Sequence, residues 1–378
     1  MLRDVVVLVV GGVAVFGLYS VGLGLVGVVL RGPAVGCLGY GGSATRSDTA
    51  AVVCAHNEER VVGECVASLA SSGFGVVVVL ADRCSDGTVA AARGAGAEVW
   101  EVVGGDSGKS GLLTRYLPEV LSRYGAVDVV AVVDADNVAE HSLVSGIREA
   151  VARGALVCQA RLRTLNGGAG FWPAAIGAAY EYTHWGSQVV RGGWGATVLG
   201  GTGMVFTREA LRRVPFRAET LTDDMEMTLR FALAGIHVEV LGEAVLDEKP
   251  RAFRVVLRQR WRWMSGQLSL VRRFLVPLLA ARKFDHALVL VSPLAMALGE
   301  FLALLGFSFS PWSLMSAILA GVVLTGVAWV RSFGGAGVVP PLWGVPASWL
   351  YSWVWLPAVV GAVVWPASVW RSTEHVGV

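Results

Sequence analysis

Acidic side chains cluster directly after short, β-branched segments of this sequence. The most informative cluster is Asp134-Ala135-Asp136, which follows a valine-rich run. Two carboxylates at positions i and i+2 would repel each other without a cation between them, and their hard oxygen atoms suit Mg²⁺ or Mn²⁺. The spacing therefore predicts a divalent metal at Asp134 and Asp136 that links the protein to a phosphate group.

Two other clusters stand at corresponding places in the sequence. Residues 54–59 end one hydrophobic run and include Asn57 and Glu58, whereas residues 81–88 end another and include Asp82. A single acid in such a place usually caps the helix that follows, and Asp86 or Ser85 is predicted to do this for a helix over residues 88–93. Three acidic clusters after three such runs nevertheless indicate one shared binding site.

A glycine-rich segment over residues 104–111 contains Gly108-Lys109-Ser110. Amide groups at a helix N-terminus and one ammonium group together form an anion site, and Lys109 is the only lysine in the first 248 residues. We therefore expect Lys109 to contact a phosphate. The segment also imitates the Walker A loop of an NTPase, but Val103 stands where that motif requires glycine.

Two adjacent carboxylates, Asp223 and Asp224, precede a helical segment that runs to about residue 233. A capping role explains one of them, since acids stabilise helix N-termini, but it does not explain both. Close carboxylates raise each other's pKa. The pair is therefore predicted to supply a general base that accepts a hydroxyl proton near neutral pH.

The elements that must position these residues follow from the hydrophobic pattern. Short β-branched runs alternate with alanine- and arginine-rich stretches over residues 45–250, which predicts an α/β fold with crossover helices. The predicted strands cover residues 50–55, 76–81, 98–103, 128–134, 156–161 and 198–206. In such sheets a ligand binds beyond the carboxyl ends of the strands, where the acidic clusters are expected to meet.

The composition is that of a membrane protein. Hydrophobic residues make up 54% of the 378 residues and charged residues only 16%, far from the average of soluble domains. Residues 5–30 carry no charge. This segment is longer than the ~20 residues that a helix needs to cross a bilayer, and longer than the ~7 to 15 apolar residues of a cleavable signal. We predict an anchor over residues 1–31 and three spans within residues 286–370, at 286–307, 312–330 and 345–370.

Charge placement predicts orientation and partners. Basic residues follow the first span, precede the second and follow the third, so the domain between the spans is expected at the cytoplasmic face of the plasma membrane. Glu300 lies inside a span and is either functional or a contact between helices. A net charge of +2 predicts no nucleic-acid partner. The five cysteines show no metal-ligand spacing.

Residues 251–285 are predicted to form amphipathic helices on the membrane surface, because seven arginines between positions 251 and 273 alternate with aromatic and apolar residues. Within them, Gln259-Arg260-Trp261-Arg262-Trp263 spells Gln-x-x-Arg-Trp. Together with the preceding clusters, in order from about residue 50 to 270, this motif resembles the membrane-integrated family 2 glycosyltransferases, such as cellulose, chitin and hyaluronan synthases. The resemblance implies a GT-A nucleotide-sugar domain over residues 45–250.

The resemblance assigns the acidic clusters to the donor, a UDP-sugar. This side of the site would consist of Asn57 and Glu58 at the turn that embraces uracil, Asp82 at the uridine, Lys109 in the nucleotide site, and Asp134. Asp136, together with Asp134, would hold Mg²⁺ or Mn²⁺ on the diphosphate.

The resemblance also implies the catalytic and acceptor residues. Asp224, beside Asp223, occupies the place of the catalytic base, and the motif that closes over the diphosphate and stacks the acceptor sugar is matched by Gln259, Arg262 and Trp263. Two departures stand out. Asp223 replaces the glutamate of many synthases, and the stretch with Gly201 and Thr202 replaces an aromatic and cysteine-containing acceptor motif.

The expected activity is that of an inverting glycosyltransferase, with a processive poly- or oligosaccharide synthase as the first prediction. Transfer to a lipid acceptor is the alternative, since ceramide glucosyltransferases share Gln-x-x-Arg-Trp. A P-loop NTPase would use Lys109 and Asp134 but leave Asp224 unexplained. A transporter or scaffold without enzymatic activity would need none of these carboxylates. The sequence predicts neither the sugar nor the oligomeric state.

Overall fold

A mixed eight-stranded sheet forms the centre of the protein. The structure is a computed structural model that describes residue 22 and residues 48–105, 108–304, 311–334 and 339–367. The predicted anchor over residues 1–31 lies outside the described residues except for Gly22. The described strands are β1 (Thr49–Ala55), β2 (Val76–Asp82), β3 (Glu98–Val102), β4 (Val129–Asp134), β5 (Val138–Ala139), β6 (Val157–Thr164), β7 (Met204–Thr207) and β8 (Val238–Asp247).

The strand order is β3-β2-β1-β4-β7-β6-β8-β5. β1 is parallel to both β2 and β4, and β2 is parallel to β3. β7 is antiparallel to both of its neighbours, β4 and β6. The predicted α/β class is confirmed, and the parallel strands place the carboxyl ends of β1, β2 and β4 at one edge of the sheet.

Helices cover both faces of the sheet and continue beyond it. They are α1 (Val62–Ser72), α2 (Thr88–Gly94), α3 (Gly108–Arg123), α4 (Leu143–Ala152), α5 (Phe171–Thr183), α6 (Val189–Gly192), α7 (Arg208–Arg213), α8 (Asp223–Leu233), α9 (Phe253–Ala280), α10 (Phe284–Leu304), α11 (Pro311–Val330), α12 (Gly344–Ser352) and α13 (Trp355–Val364). A π-helical turn (His184–Gln188) joins α5 to α6, and a 3-10 turn (Arg331–Gly334) follows α11.

The core lies on both sides of the parallel strands. Successive residues of a strand point to opposite faces, so Val53 of β1 packs with α1 and α4, whereas Val52 packs with α3. Both valines are fully buried, and each contributes roughly 1.5–3 kcal/mol relative to an exposed side chain. Burial on both faces explains why these strands read as continuous valine runs rather than as alternating patterns.

The prediction of a strand over residues 198–206 is wrong for most of its length. Only Met204–Thr207 forms β7, and the preceding residues form a loop. Gly201 and Gly203 have φ angles of +83° and +64°, which belong to the left-handed region and do not continue a strand. β8 (Val238–Asp247) was not among the predicted strands.

Apolar helices follow the sheet domain. α10 and α11 overlap the segments predicted as spans at 286–307 and 312–330, and residues 305–307 and 368–370 of the predicted spans lie outside the described residues. The third predicted span is divided between α12 and α13, which meet at Trp353 and Val354 with helical backbone angles. Among the described helices, two windows have the length and composition to cross a membrane, Phe284–Phe301 and Gly344–Val364, and Gly321–Val330 is a shorter apolar helix.

Candidate active site

One cavity of about 1700 Å³ lies at the carboxyl ends of β1, β2 and β4. It brings together residues from distant parts of the sequence, from Cys54 to Ala367. Of the predicted site residues, its wall includes Glu58, Asp82, Lys109, Asp134, Asp136, Gly201, Thr202, Asp223, Asp224, Gln259, Arg262 and Trp263. Asn57 is the one predicted residue that is not part of the wall.

Asn57 instead joins the two loops that border the cavity. It lies at the end of β1 with a φ of 58°, and its Oδ1 accepts a hydrogen bond of 2.8 Å from the Ser85 amide after β2. The neighbouring His56 does line the cavity, and its Nδ1 lies 2.6 Å from the carbonyl oxygen of Asp82. A carbonyl only accepts, so Nδ1 carries the proton and Nε2 is an acceptor in the neutral ring. The sequence analysis did not single out His56.

Asp82 links the end of β2 to the start of α3. Its carboxylate accepts hydrogen bonds from Arg83 Nε at 2.8 Å and from the Gly108 amide at 3.0 Å. Because Gly108 is the first residue of α3, this contact sets the position of the helix N-terminus. The first turn of α3 in turn places Lys109 in the cavity.

Lys109 lies between β4 and the loop of residues 200–203, which we call the glycine loop. Its Nζ donates to the carboxylate of Asp134 and, at 2.5 Å, to the carbonyl oxygen of Gly201. Burial alone would lower the pKa of Lys109, but the negative charges of Asp134 and Asp223 outweigh it, so the pKa is raised. The side chain therefore stays positively charged and suits a phosphate oxygen.

The carboxylates at the end of β4 suit a metal ion that is bound partly by the substrate, rather than one bound by protein ligands alone. Asp134 and Asp136 line the cavity, and within the described residues no group of three or more His, Cys, Asp or Glu side chains could hold a metal. Mg²⁺ commonly binds through one or two carboxylates, with substrate phosphates and water completing its shell. Two carboxylates beside a diphosphate therefore meet this requirement.

Thr202 holds this end of β4 in place. Its hydroxyl accepts from the Asp134 amide at 3.0 Å and donates to Asn137 Oδ1 at 2.6 Å. Asn137 Nδ2 donates to Asp136 Oδ1 at 2.9 Å. The glycine loop thus orients both aspartates, which is a different contribution from the acceptor contact predicted for Thr202.

Asp223 and Asp224 begin α8 and face the glycine loop. Asp224 Oδ1 accepts from the Met225 amide at 2.7 Å, and a Cβ atom built on Gly201 would lie 3.4 Å from Asp224 Oδ2. Burial, and then the charge of Asp223, raise the pKa of Asp224 to about 7. The pKa of Asp224 is therefore raised, as the adjacent carboxylates predict.

If Asp224 is the general base predicted from the sequence, catalysis should slow in acid, because a protonated carboxyl cannot accept the hydroxyl proton. A carboxyl whose pKa is raised to about 7 is ionised only above that pH, so kcat/KM should fall about tenfold per pH unit below it. Asp223→Asn removes the neighbouring negative charge that raises the pKa of Asp224, so it should move the acidic limb to lower pH. A profile that stays flat from about pH 6 to pH 8 would contradict this assignment.

A buried carboxylate, Glu226, anchors the loop that precedes the acid pair. Its Oε2 accepts from the backbone amides of Glu219 and Thr220 at 2.9 and 3.0 Å. Its Oε1 accepts from Arg230 Nη2 at 2.7 Å and lies 3.5 Å from Arg273 Nη1. Glu226 has no exposed surface, so this contact holds residues 219–222 of the cavity wall from inside the protein.

Glu226→Gln should lower kcat about 10- to 100-fold with little change in the KM for the donor, because displacement of a reacting group by about 1 Å has costs of this order. The glutamine amide cannot replace the second carboxylate oxygen as an acceptor. Glu209→Gln is the matched control, since Glu209 pairs with Arg213 in the same i, i+4 arrangement on α7, where both side chains are exposed. Equal kcat in the two variants, with equal circular dichroism spectra, would contradict a positioning role.

The Gln-x-x-Arg-Trp motif lies on α9 and closes the opposite side of the cavity. Arg260, the residue after Gln259, is 1% exposed and donates to Gln259 Oε1 at 3.0 Å. Its guanidinium carbon lies 3.8 Å from the ring centre of Trp263, and its Nε donates to the hydroxyl of Tyr351 in α12. Arg260 therefore positions both neighbours, a role that the sequence analysis did not assign.

Arg262 is the cation of this motif that remains available to a ligand. It makes no hydrogen bond or ion pair within the described part of the chain. Burial lowers the pKa of Arg262, while the charges of Asp223 and Asp224 act in the opposite direction. A guanidinium without a partner, half-buried in a polar cavity, is suited to bind an anion.

Comparisons with known proteins show which family this chain belongs to. A family model described as "Glycosyltransferase like family 2" matches residues 46–266. The probable glycosyltransferase YdaM of Bacillus subtilis (strain 168) is 28% identical over 155 residues, which are 39% of this chain and 36% of that protein. The match therefore spans about a third of the curated relative's length.

Solved structures are similar to this chain at low sequence identity. The mannosyltransferase PcManGT from Pyrobaculum calidifontis, in complex with GDP-Man and Mn²⁺, is 15% identical, with a TM-score of 0.57 over 96% of this chain and 99% of that chain. Glucosyl-3-phosphoglycerate synthase from Mycobacterium tuberculosis, in complex with Mg²⁺ and UDP, is 16% identical over 60% of this chain and 79% of that chain, with a TM-score of 0.42. The chain belongs to the glycosyltransferase-like family 2 and is a family 2 glycosyltransferase with a GT-A-like fold.

Proposed function

We propose that the protein is an inverting glycosyltransferase that moves a sugar from a UDP-sugar to an acceptor hydroxyl. The observation that carries this proposal is the single cavity in which Asp224, Lys109 and the Asp134/Asp136 pair meet. A general base, a fixed cation and a pair of metal-binding carboxylates are the groups that transfer from a nucleotide diphosphate requires.

In the proposed reaction, Asp224 accepts the proton of the acceptor hydroxyl as its oxygen attacks the anomeric carbon of the donor. The bond between that carbon and the diphosphate oxygen breaks, and UDP leaves with the electron pair. Lys109 and Arg262 bind the negative charge that develops on the diphosphate. Asp134 and Asp136 would hold a divalent ion, which supplies further charge neutralisation when bound. One displacement inverts the configuration, and no sugar-enzyme bond forms.

We further propose that the apolar helices are inserted in a membrane, with the catalytic domain at its cytoplasmic face. Only 28% of each of the windows Phe284–Phe301 and Gly344–Val364 is buried inside the protein, whereas a core helix of a soluble protein is mostly buried. α11 exposes a stripe of large apolar residues, namely Leu319, Val323, Val327 and Val330. Lipid contact would cover these surfaces.

Two acceptor classes follow from the resemblance to known synthases. A processive synthase would extend a poly- or oligosaccharide, and a lipid glycosyltransferase would add one sugar to a membrane lipid. Product length separates them, because only the first yields a ladder of products.

The test of the proposed function is the release of nucleotide diphosphate by purified full-length protein in detergent, with Mg²⁺ or Mn²⁺. UDP-glucose, UDP-N-acetylglucosamine, UDP-galactose and UDP-glucuronate form the donor scan. GDP-mannose is added because the Pyrobaculum structure contains GDP-Man. Release from one donor is the expected result. No release from any donor would overturn the proposal, and hydrolysis of ATP in its place would indicate a P-loop NTPase.

Removal of divalent ions should abolish this activity, and Asp136→Asn should raise the metal concentration needed for half-maximal rate by about tenfold or more, as loss of a charged ligand does. The matched control is Asp128→Asn, since Asp128 lies at the opposite end of β4 and its side chain is 75% exposed. An unchanged metal requirement in Asp136→Asn would remove this carboxylate from the metal site.

A further inference from the structure

The cavity continues past the catalytic residues to the apolar helices. Its wall includes Ser265 and Ser269 of α9, Ser292 and Pro293 of α10, and Trp355 of α13. A small-molecule site typically encloses about 300–1000 Å³, so about 1700 Å³ leaves room for a second ligand beside a nucleotide sugar. We name the part between α9, α10 and α13 the helix arm.

The hydroxyl groups that line the helix arm are used within the protein. Ser265 Oγ donates to Trp261 O at 2.9 Å, Ser269 Oγ to Ser265 O at 3.3 Å and Ser292 Oγ to Val289 O at 2.8 Å. Gln267 Nε2 donates to Leu290 O at 2.7 Å. The arm therefore offers a ligand few free donors, and its small side chains leave space.

Pro293 of α10 lies in the wall of the helix arm. A proline inside a helix has no amide hydrogen to donate to the residue four positions earlier, and its ring forces the helix to bend. In α10 the oxygen that loses this bond is Val289 O, and the Ser292 hydroxyl donates to it instead. Both Val289 and Pro293 line the cavity, so the altered turn of α10 lies along the arm.

The outer surfaces of the same helices are apolar and exposed. On α10, Leu298 and Phe301 are 39% and 47% exposed, and on α13 Val360 and Val364 are 52% and 74% exposed. If these helices lie in the bilayer, as proposed above, the helix arm lies between the catalytic residues and the hydrocarbon region.

We infer that the acceptor is a membrane lipid with a hydroxyl head group, which lies at Asp224 while its hydrocarbon chain occupies the helix arm. A glycan chain would require free hydrogen-bonding groups and a series of aromatic platforms along its path. The arm has satisfied hydroxyls and small residues, and its two tryptophans, Trp263 and Trp355, form a single pair with ring centres 6.4 Å apart. This inference rests on the proposed function and selects the lipid alternative over the polymer.

The test uses full-length protein in phosphatidylcholine vesicles that contain diacylglycerol and ceramide, with a labelled donor chosen by the release assay. A water-soluble oligosaccharide acceptor is supplied in parallel. The expected result is label in a chloroform-soluble product that carries one sugar. Nucleotide release with label only in free sugar or in oligosaccharides would overturn the inference and leave the proposed function standing. No nucleotide release from any donor would overturn the proposed function itself.

A blocked arm gives an independent measurement. Ser292→Trp should lower the ratio of lipid transfer to donor hydrolysis by about tenfold or more, since a misfitted acceptor loses binding in the transition state. Leu298→Trp is the matched control, because Leu298 lies on the same helix, is partly exposed and is not part of the cavity wall. An equal ratio in the two variants would place the acceptor elsewhere.

Discussion

Asp224→Asn should lower the rate of sugar transfer by about 10²- to 10⁴-fold, the usual contribution of a general base. Asparagine has nearly the same shape but cannot accept the hydroxyl proton. The carboxylate is buried beside Asp223, and both effects hold its pKa at about 7, where a base is effective near neutral pH. Nucleotide affinity should change little, because Lys109, Asp134 and Asp136 remain in place.

The measurement is initial rate with a saturating donor, together with UDP affinity by calorimetry. Asp128→Asn serves again as the control for removal of one acidic charge from the domain. A variant that keeps about a tenth of the wild-type rate would exclude Asp224 as the base. Loss of UDP affinity together with the rate would instead indicate a role in donor binding.

The central strands were predictable because their surroundings demand one kind of residue. β1, β2 and β4 are buried on both faces, so they appear as uninterrupted runs of valine and alanine. The false strand over residues 198–206 has apolar residues at both ends, but three of its nine residues are glycines. Gly201 and Gly203 take left-handed angles where the loop approaches Lys109 and Asp224, and that approach depends on parts of the chain far away in sequence.

The candidate site was predictable for the same reason that the sheet was. Parallel strands end at one edge, so acids that follow β1, β2 and β4 had to converge there. Side-chain direction within a turn was not predictable. Asn57 and His56 are adjacent after β1, yet Asn57 bonds to the loop after β2 and His56 faces the cavity.

Supporting residues were the least predictable part. Glu226 reads as an acid in the first turn of a helix, and Arg260 as one arginine of an amphipathic stretch. Glu226 is buried because residues 219–220 and α9 pack over it. Arg260 is buried because α12 packs over it. A buried charge is stable only with its partners, and these partners are set by tertiary packing.

Arg262→Ala should lower kcat by about 10²- to 10³-fold, the usual effect of removing one group that binds developing negative charge. The guanidinium lies in the cavity without a partner in the described residues, so its charge is available to the diphosphate as UDP departs. Arg262→Lys should restore part of the rate, because the charge returns without the planar geometry that matches phosphate oxygens. Arg254→Ala is the matched control, since Arg254 is exposed on the same helix and lies outside the cavity wall. If Arg262→Ala raised only the KM for the donor, with kcat unchanged, Arg262 would bind the diphosphate equally before and during transfer and would not stabilise its departure.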